Sequence, residues 1–443
     1  MKSSVSESKR GLCDMDDSRT YKKSRFNLFV PYKNDEYIVY NMLSNSIGKM
    51  DAKTFSKFNL NQLSLEETDI CVQKGLLISP NFDEVGKING DRIEGLSKTD
   101  GKNFRIWSTS ACNARCYYCF EKGIQRTNMP KKLARDVVGF IDTMTQENDS
   151  FNIEWFGGEP LLNIPIIEEI TSLVSDLCRR KHCKVQYSMI SNGSLIEADL
   201  VKQMKEKWHL KSIQITLDGY ADEYNAIKNY YNSEEHNFCR VIENIKLLVS
   251  AQIHVGIRMN YDANNYKSLA QLIEYLHKEF AGMPNIRYYV YPVWTSLIDG
   301  QNQFISSTEA DKQYLNLLKL LVTYNMGSIR KLARLGYRKY QCHACHKCGF
   351  SIFPNGKIGK CDETFTQTIG DIWDGVSNEE LYHYWTSPDL DEQCIDCIYL
   401  PICQGGCRSY RHTHMPQCFA HKNILPDLLK WYVEYMETQR KKI

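Results

Sequence analysis

A chain of 443 residues carries 55 Lys and Arg against 53 Asp and Glu, a formal net charge of +2. It is long enough for several domains with buried cores, and the charge balance argues against a nucleic-acid binder driven by bulk positive charge. No apolar run approaches the length of a membrane span, and Met1 to Arg19 is too polar for a signal peptide, so a soluble cytoplasmic protein is expected.

Residues 1–24 read as a disordered tail, dominated by Ser, Lys, Asp and Glu. Residues 25–82 read as a compact unit. Phe26 to Val30 and Tyr37 to Tyr40 have the composition of short strands, and Ala52 to Phe58 and Leu65 to Lys74 that of helices. Strands followed by helices suggest a winged-helix-like module. Residues 83–103, rich in Asp, Gly and Lys, read as a linker or exposed hairpin, closing a first domain at 25–103. From 104 to 325 strands alternate with helices: strands begin near Phe104, Phe151, Lys184, Ser212, His254 and Asn285. Such β-α units predict an α/β fold, a parallel sheet curled into a partial (β/α)6 barrel, with function at the carboxyl ends of its strands. Residues 326–443 lose the alternation and become a Cys-rich extension.

The 17 cysteines are the outlier. Without an oxidising compartment, clustered cysteines read first as metal ligands. Cys112, Cys116 and Cys119 follow the first strand of the alternating region. Three thiolates supply three corners of a [4Fe–4S] cubane and leave one iron open. The same spacing fits a helix packing three cysteines as an apolar stripe, or an incomplete zinc site. Gly157-Gly158-Glu159-Pro160, Ser191-Asn192-Gly193 and Thr216-Leu217-Asp218-Gly219 each end a successive predicted strand, and Arg258 lies in the fifth. Taken singly, these are ordinary turn sequences or, for Arg258, an ion-pair residue.

CxxxCxxC with an aromatic before its last Cys, followed in order by these strand ends, resembles the radical S-adenosylmethionine (SAM) superfamily. The resemblance spans about 104–322. It implies that Cys112, Cys116 and Cys119 hold a cluster whose open iron takes the amino and carboxylate groups of SAM, and that reduction yields a 5′-deoxyadenosyl radical. It also implies that Tyr118 lies by the adenine and that Gly157, Gly158, Glu159 and Pro160 hold the SAM amino group. Ser191, Asn192, Thr216 and Asp218 would surround the ribose and methionyl carboxylate, and Arg258 could pair with that carboxylate.

Further on come Cys342-x2-Cys345-x2-Cys348, then Gly356-x4-Cys361, then Cys394-x2-Cys397-x5-Cys403-x3-Cys407 and Cys418. CxxC pairs alone fit zinc ribbons. Together with the first motif, the pattern resembles the SPASM extension of radical SAM peptide-modifying enzymes. That implies two auxiliary [4Fe–4S] clusters, three in all. One would be held by Cys342, Cys348, Cys361 and Cys407, the other by Cys394, Cys397, Cys403 and Cys418; Cys345 is an extra cysteine that replaces Cys342 or Cys348 or is free. Cys13, Cys71, Cys178, Cys183 and Cys239 fall outside this pattern and read mostly as packing residues.

The resemblance implies a maturase that modifies, for instance by crosslinking, a ribosomally made precursor peptide. Its partners would be the leader of that peptide and a low-potential electron donor of the flavodoxin or ferredoxin type, with no nucleic acid or membrane partner. The module at 25–82 favours this branch, with Tyr37 to Tyr40 as the strand whose edge pairs with the leader. The alternatives are an anaerobic sulfatase maturase that oxidises Ser or Cys to formylglycine and, from another class, a non-catalytic zinc-binding interaction protein.

Overall fold

The computed structural model describes residues 20–98, 102–262, 264–293, 308–332, 334–412, 418 and 422–441. Cys13 lies outside them. The described residues fall into two compact units. One takes those within Met1–Leu96, Ala333–Gln341 and Pro388–Ile443, and the other those within Ser97–Leu332 and Cys342–Ser387. The segment 326–443, read from the sequence as one extension, is divided between them. Among the described residues no helix is long and apolar enough to cross a membrane.

The first unit opens with β1 (Lys22–Lys23), β2 (Asn27–Pro31), β3 (Glu36–Asn41) and β4 (Ser46–Asp51), then α1 (Ala52–Leu60), α2 (Leu65–Gln73), β5 (Leu77–Ile78) and α3 (Glu84–Ser97). Asp51 caps α1 through the Thr54 amide, and Ser64 with Glu67 forms a capping box on α2. β2, β3 and β4 form an antiparallel sheet in that order, with Val39, Met50, Phe58 and Cys71 in the core beneath it.

Two expectations fail here. β3 is paired on both sides, Leu28 with Tyr40 and Tyr40 with Ile47, so Tyr37 to Tyr40 offers no edge; the edges are β2 and β4. The turn-rich composition of 46–51 had hidden that third strand. Residues 84–97 are a helix rather than a linker: Ile88, Arg92, Gly95 and Leu96 recur at helical spacing and are buried. The glycines and aspartates drew attention away from that period. Arg92 is buried because its guanidinium donates to the carbonyls of Pro388 and Gln404, at 3.0 Å each.

The second unit is built on one sheet. Its parallel part is β6 (Lys102–Thr109), α4 (Ala134–Met144), β7 (Ser150–Gly157), α5 (Ile164–Lys181), β8 (Lys184–Ser191), α6 (Ala198–Glu206), β9 (Leu210–Thr216), α7 (Asp222–Lys228), α8 (Phe238–Ser250), β10 (His254–Tyr261), α9 (Tyr266–Glu279) and β11 (Ile286–Pro292). These strands lie in chain order, each parallel to the next. After α10 (Thr308–Thr323) and α11 (Ile329–Leu332), the Cys-rich segment returns as β12 (Gly349–Ile352), β13 (Lys357–Gly359), β14 (Thr368–Asp371), β15 (Gly375–Val376) and α12 (Glu379–Thr386). β12 pairs parallel to β6, Ile352 beside Ile106, and continues the same sheet on its other side. The β12–β13 turn carries Gly356 at φ +81°, where a side chain would also meet the Trp373 ring, so glycine is required.

The strands alternate. On one face Phe104, Ile106, Ile153, Trp155 and Ile213 are fully or nearly fully buried, and Phe140 of α4 meets Phe104 edge-on. Each such side chain contributes roughly 1.5–3 kcal/mol. The other face carries Arg105, Glu154, Gln214, Thr216, Arg258 and Tyr289. A parallel sheet covered on both faces by helices reads as continuous apolar runs; the alternation marks a polar inner face.

The chain then completes the first unit with α13 (Glu392–Ile395), α14 (Leu400–Cys403), α15 (Arg408–His412) and α16 (Leu425–Arg440). α16 buries Leu425, Leu428, Leu429 and Val433 on one stripe and packs against β2 and β3.

Candidate active site

The loop after β6 holds Cys112, Cys116 and Cys119, all half-buried free thiols. Burial, then the Glu159 carboxylate, pushes Cys112 up to about 12. Burial, then Glu121, does the same to Cys119, and burial raises Cys116 as well. Cys112 and Cys119 each sense the charge of Cys116. Among the described residues no three metal-binding side chains close on a single ion. Three sulfur donors with no fourth suit a cubane that spreads its ligands over different irons and leaves one iron open. Metal binding would displace the thiol protons that burial retains.

The glycines after β7 secure this loop. A side-chain carbon on Gly157 would lie 2.0 Å from the Thr109 carbonyl oxygen, and one on Gly158 2.2 Å from that of Ala111. The Gly158 and Glu159 amides donate to those same oxygens at 3.0 and 2.8 Å. The close approach is therefore between the strand end and the cysteine loop. Pro160 opens the following turn, and its carbonyl accepts from Ser108 Oγ at 3.1 Å.

Glu159 is fully buried. Its carboxylate accepts from Ser191 Oγ (2.8 Å), the Asn192 amide (2.8 Å) and the Leu161 amide (3.2 Å). Burial still pushes it up to about 7, with those hydrogen bonds opposing. In this structure it pins the end of β8. Asn192 then donates to Asn113 Oδ1 at 2.7 Å, carrying that order into the cysteine loop.

A second cluster forms around Asp218, which is 0% exposed, and Lys228, 2% exposed, paired at 2.7 Å. Tyr118 donates to Asp218 Oδ2 at 2.5 Å and Asn260 Nδ2 to the Tyr118 hydroxyl at 3.1 Å. Lys228 also donates to Thr216 Oγ1 at 2.7 Å. Burial opposes the Lys228 charge, but Asp218 and Tyr118 hold its pKa well above the ordinary value. Its charge in turn lowers Cys116 against burial. Sequence reading missed Lys228; a lysine closing a helix looks like an ordinary solvated side chain. Arg258 donates to Asn260 Oδ1 at 2.8 Å, stacks on Tyr291 at 4.6 Å and acts on the Glu363 carboxyl, whose rise through burial it opposes.

On the polar sheet face Arg105 bridges Glu154 and Asp362. Asp362 is the residue after Cys361 and also accepts from Trp107 Nε1 (3.0 Å) and Ser351 Oγ (2.8 Å). Burial works to raise the Asp362 carboxyl, but Arg105 and His343 hold it below its ordinary value. Glu121 sits nearby, pushed up to about 8 by burial and then by Asp362. The signal for this group was the polar alternation in the strands.

Cys342, Cys345, Cys348 and Cys361 belong to this sheet unit, and Cys394, Cys397, Cys403, Cys407 and Cys418 to the other. Burial raises Cys394 to about 11, followed by the charges of Cys403, Cys397 and Cys418, so those four thiols are neighbours. Arg411 donates to Cys394 Sγ at 2.9 Å. Cys71 is buried in the first unit's core, Cys178 and Cys183 are half-buried and Cys239 is exposed.

Residues 108–276 match the family model of the Radical SAM superfamily. The chain carries a radical SAM domain. A cysteine-type anaerobic sulfatase-maturating enzyme of Clostridium novyi is 23% identical over 364 residues, 74% of this chain and 92% of that one. Native anSMEcpe with bound AdoMet and Kp18Cys peptide shares the fold at TM-score 0.60 and 17% identity, over 77% of this chain and 100% of that one. Streptococcus suis SuiB bound to its precursor peptide SuiA does so at TM-score 0.51 and 14% identity, over 88% of this chain and 95% of that one. Domains of that superfamily use SAM and an iron–sulfur cluster. The Cys112–Cys119 loop is the part of the structure whose donors fit that cluster.

Proposed function

We propose that this radical SAM enzyme is a maturase of a ribosomally made precursor peptide. When bound, SAM and the reduced cluster supply a 5′-deoxyadenosyl radical. The chain's own residues order the site for it. Gly157 and Gly158 seat the cysteine loop, Glu159 fixes Ser191 and Asn192 for the ribose and methionyl end, and Tyr118, Thr216, Asp218 and Arg258 complete that surround. The polar inner face, with Arg105, Glu154, Gln214 and Tyr289, would receive the peptide. The C-terminal cysteines are read as ligands of two auxiliary [4Fe–4S] clusters, in the sets that the SPASM resemblance implies.

The observation that carries the peptide reading is the sheet of β2, β3 and β4. The helices α1 and α2 that follow it support the reading as a winged-helix-like module, and β4 leaves one edge for an added strand. Gly48, in β4, has open space where a side chain would project. The likeness to SuiB also extends over more of this chain than the likeness to anSMEcpe. The test is turnover of a precursor peptide encoded beside this chain, with and without its leader, followed by mass change and 5′-deoxyadenosine release. Equal turnover of leaderless peptide would remove leader recognition.

The second reading, sulfatase maturation, is supported by the Clostridium novyi relative, nearly all of which aligns. It is tested with a sulfatase-derived Cys or Ser peptide: a Cys that loses two hydrogens and exchanges its sulfur for the oxygen of water, releasing hydrogen sulfide, or a Ser that loses two hydrogens, would favour it.

A further inference from the structure

Lys360 is 0% exposed. Its ammonium donates to the carbonyls of His346, at 2.7 Å, Gly349 and Lys347. The Phe350 and Tyr382 rings lie over it, with centroids at 4.8 and 5.3 Å. These contacts satisfy its donors but bring no negative charge, and among the described residues it makes no ion pair with Asp or Glu. Burial pulls the Lys360 pKa down to about 7, opposed by Cys345, Cys348 and Cys342, the other titratable groups that face it, and it in turn lowers His343 and His346. A buried ammonium without an anion is strongly disfavoured. Carbonyl dipoles offset only part of that cost. The groups beside it that can become anions are those thiols, and metal ligation ionises a thiol outright.

We infer that Lys360 is the buried counter-cation of the auxiliary cluster site at Cys342–Cys348 and Cys361, a positioning residue with two effects. Through its three carbonyls it clamps the loop that carries Cys342, Cys345 and Cys348 against β12. Through its charge it stabilises the ligating thiolates and favours the reduced, more negative state of the cluster, raising its potential. This rests on the auxiliary-cluster reading above. It differs from the arrangement at the SAM site, where Lys228 already has a carboxylate partner.

The test uses the full chain, reconstituted anaerobically, as Lys360→Met and Lys360→Arg. Iron is counted, and the auxiliary midpoint potentials are read by EPR-monitored titration. In Lys360→Met the potential of one auxiliary cluster is expected to fall. The expected change is at least tenfold in its reduction equilibrium, about 59 mV for one electron. Dithionite-driven SAM cleavage should persist. Lys360→Arg should keep the potential near that of the unsubstituted protein. Loss of that cluster in Lys360→Met with retention in Lys360→Arg supports the inference equally. An unchanged potential in Lys360→Met overturns it, as does loss of the cluster in both variants. Only about four iron per chain in the unsubstituted protein would overturn the auxiliary-cluster reading itself, and this inference with it.

Discussion

Two cysteine loops of the same sheet unit each lie beside a buried lysine, and they balance its charge differently. At Cys112–Cys119, Lys228 is paired with Asp218 at 2.7 Å, so the charge is compensated by protein alone. At Cys342–Cys348, Lys360 meets carbonyl dipoles, aromatic faces and thiols. The first arrangement keeps its order whether or not anything is bound. The second completes its charge balance only when its thiols ionise, so metal loading and local folding are coupled there.

The largest expected effect separates the two loops by function. Cys116→Ala should abolish 5′-deoxyadenosine release under dithionite, while Cys348→Ala should leave that release intact and lower peptide product. Retained release in Cys116→Ala would break the assignment of the first loop.

Next comes the ion pair. Asp218→Asn leaves Lys228 buried without its partner and should cost about 3–5 kcal/mol, read as a fall in melting temperature. The double variant Asp218→Asn with Lys228→Met should recover most of that loss, because both charges are then gone. A double variant no more stable than the single one would show that the pair does not hold this region together.

The loops should also differ in the sign of their pH dependence. Glu121 has a folded-state pKa raised to about 8. Its contribution to stability is therefore fully present below the ordinary carboxylate pKa and is lost as pH rises towards 8. Glu121→Gln should remove that alkaline loss, roughly 1–3 kcal/mol. His343, beside the second loop, is pushed down to about 4 by burial and then by Arg105. Its contribution is present above the ordinary imidazole pKa and is lost as pH falls from about 6.5 towards 4. His343→Gln should flatten that acid limb. Melting temperatures between pH 4.5 and 8.5 measure both, and slopes unchanged by either substitution would contradict these environments.

The smallest effect is Tyr118→Phe, which removes the hydroxyl between Asp218 and Asn260. A loss of about 1 kcal/mol in stability is expected, with weaker SAM binding by calorimetry as the functional readout.

These side chains also mark what a sequence discloses. The parallel strands were legible because apolar alternation and helix punctuation agree from Phe104 to Tyr291. The cysteines were legible because spacing is local. Charge pairing was not: Asp218 and Lys228 are ten positions apart, and Arg105 and Asp362 are joined only when β12 pairs with β6. Helix α3 was hidden because Asp and Gly dominate its composition while its buried residues keep the helical period. The order β2-β3-β4 was hidden because pairing order is not written in strand composition, and it moves the candidate peptide edge from β3 to β4.

The first unit is assembled from both ends of the chain, with the sequence of the sheet unit lying between them. On a ribosome, β2, β3 and β4 emerge hundreds of residues before α16, the helix that packs against them. The apolar stripe of Leu425, Leu428, Leu429 and Val433 arrives last. The cysteine loops of the sheet unit are therefore translated while the N-terminal sheet still lacks that cover. Vectorial synthesis leaves this sheet exposed longest to other chains, and a stop codon before Leu425 should send nascent protein to chaperones and proteases even though Cys112 through Cys418 have all been made.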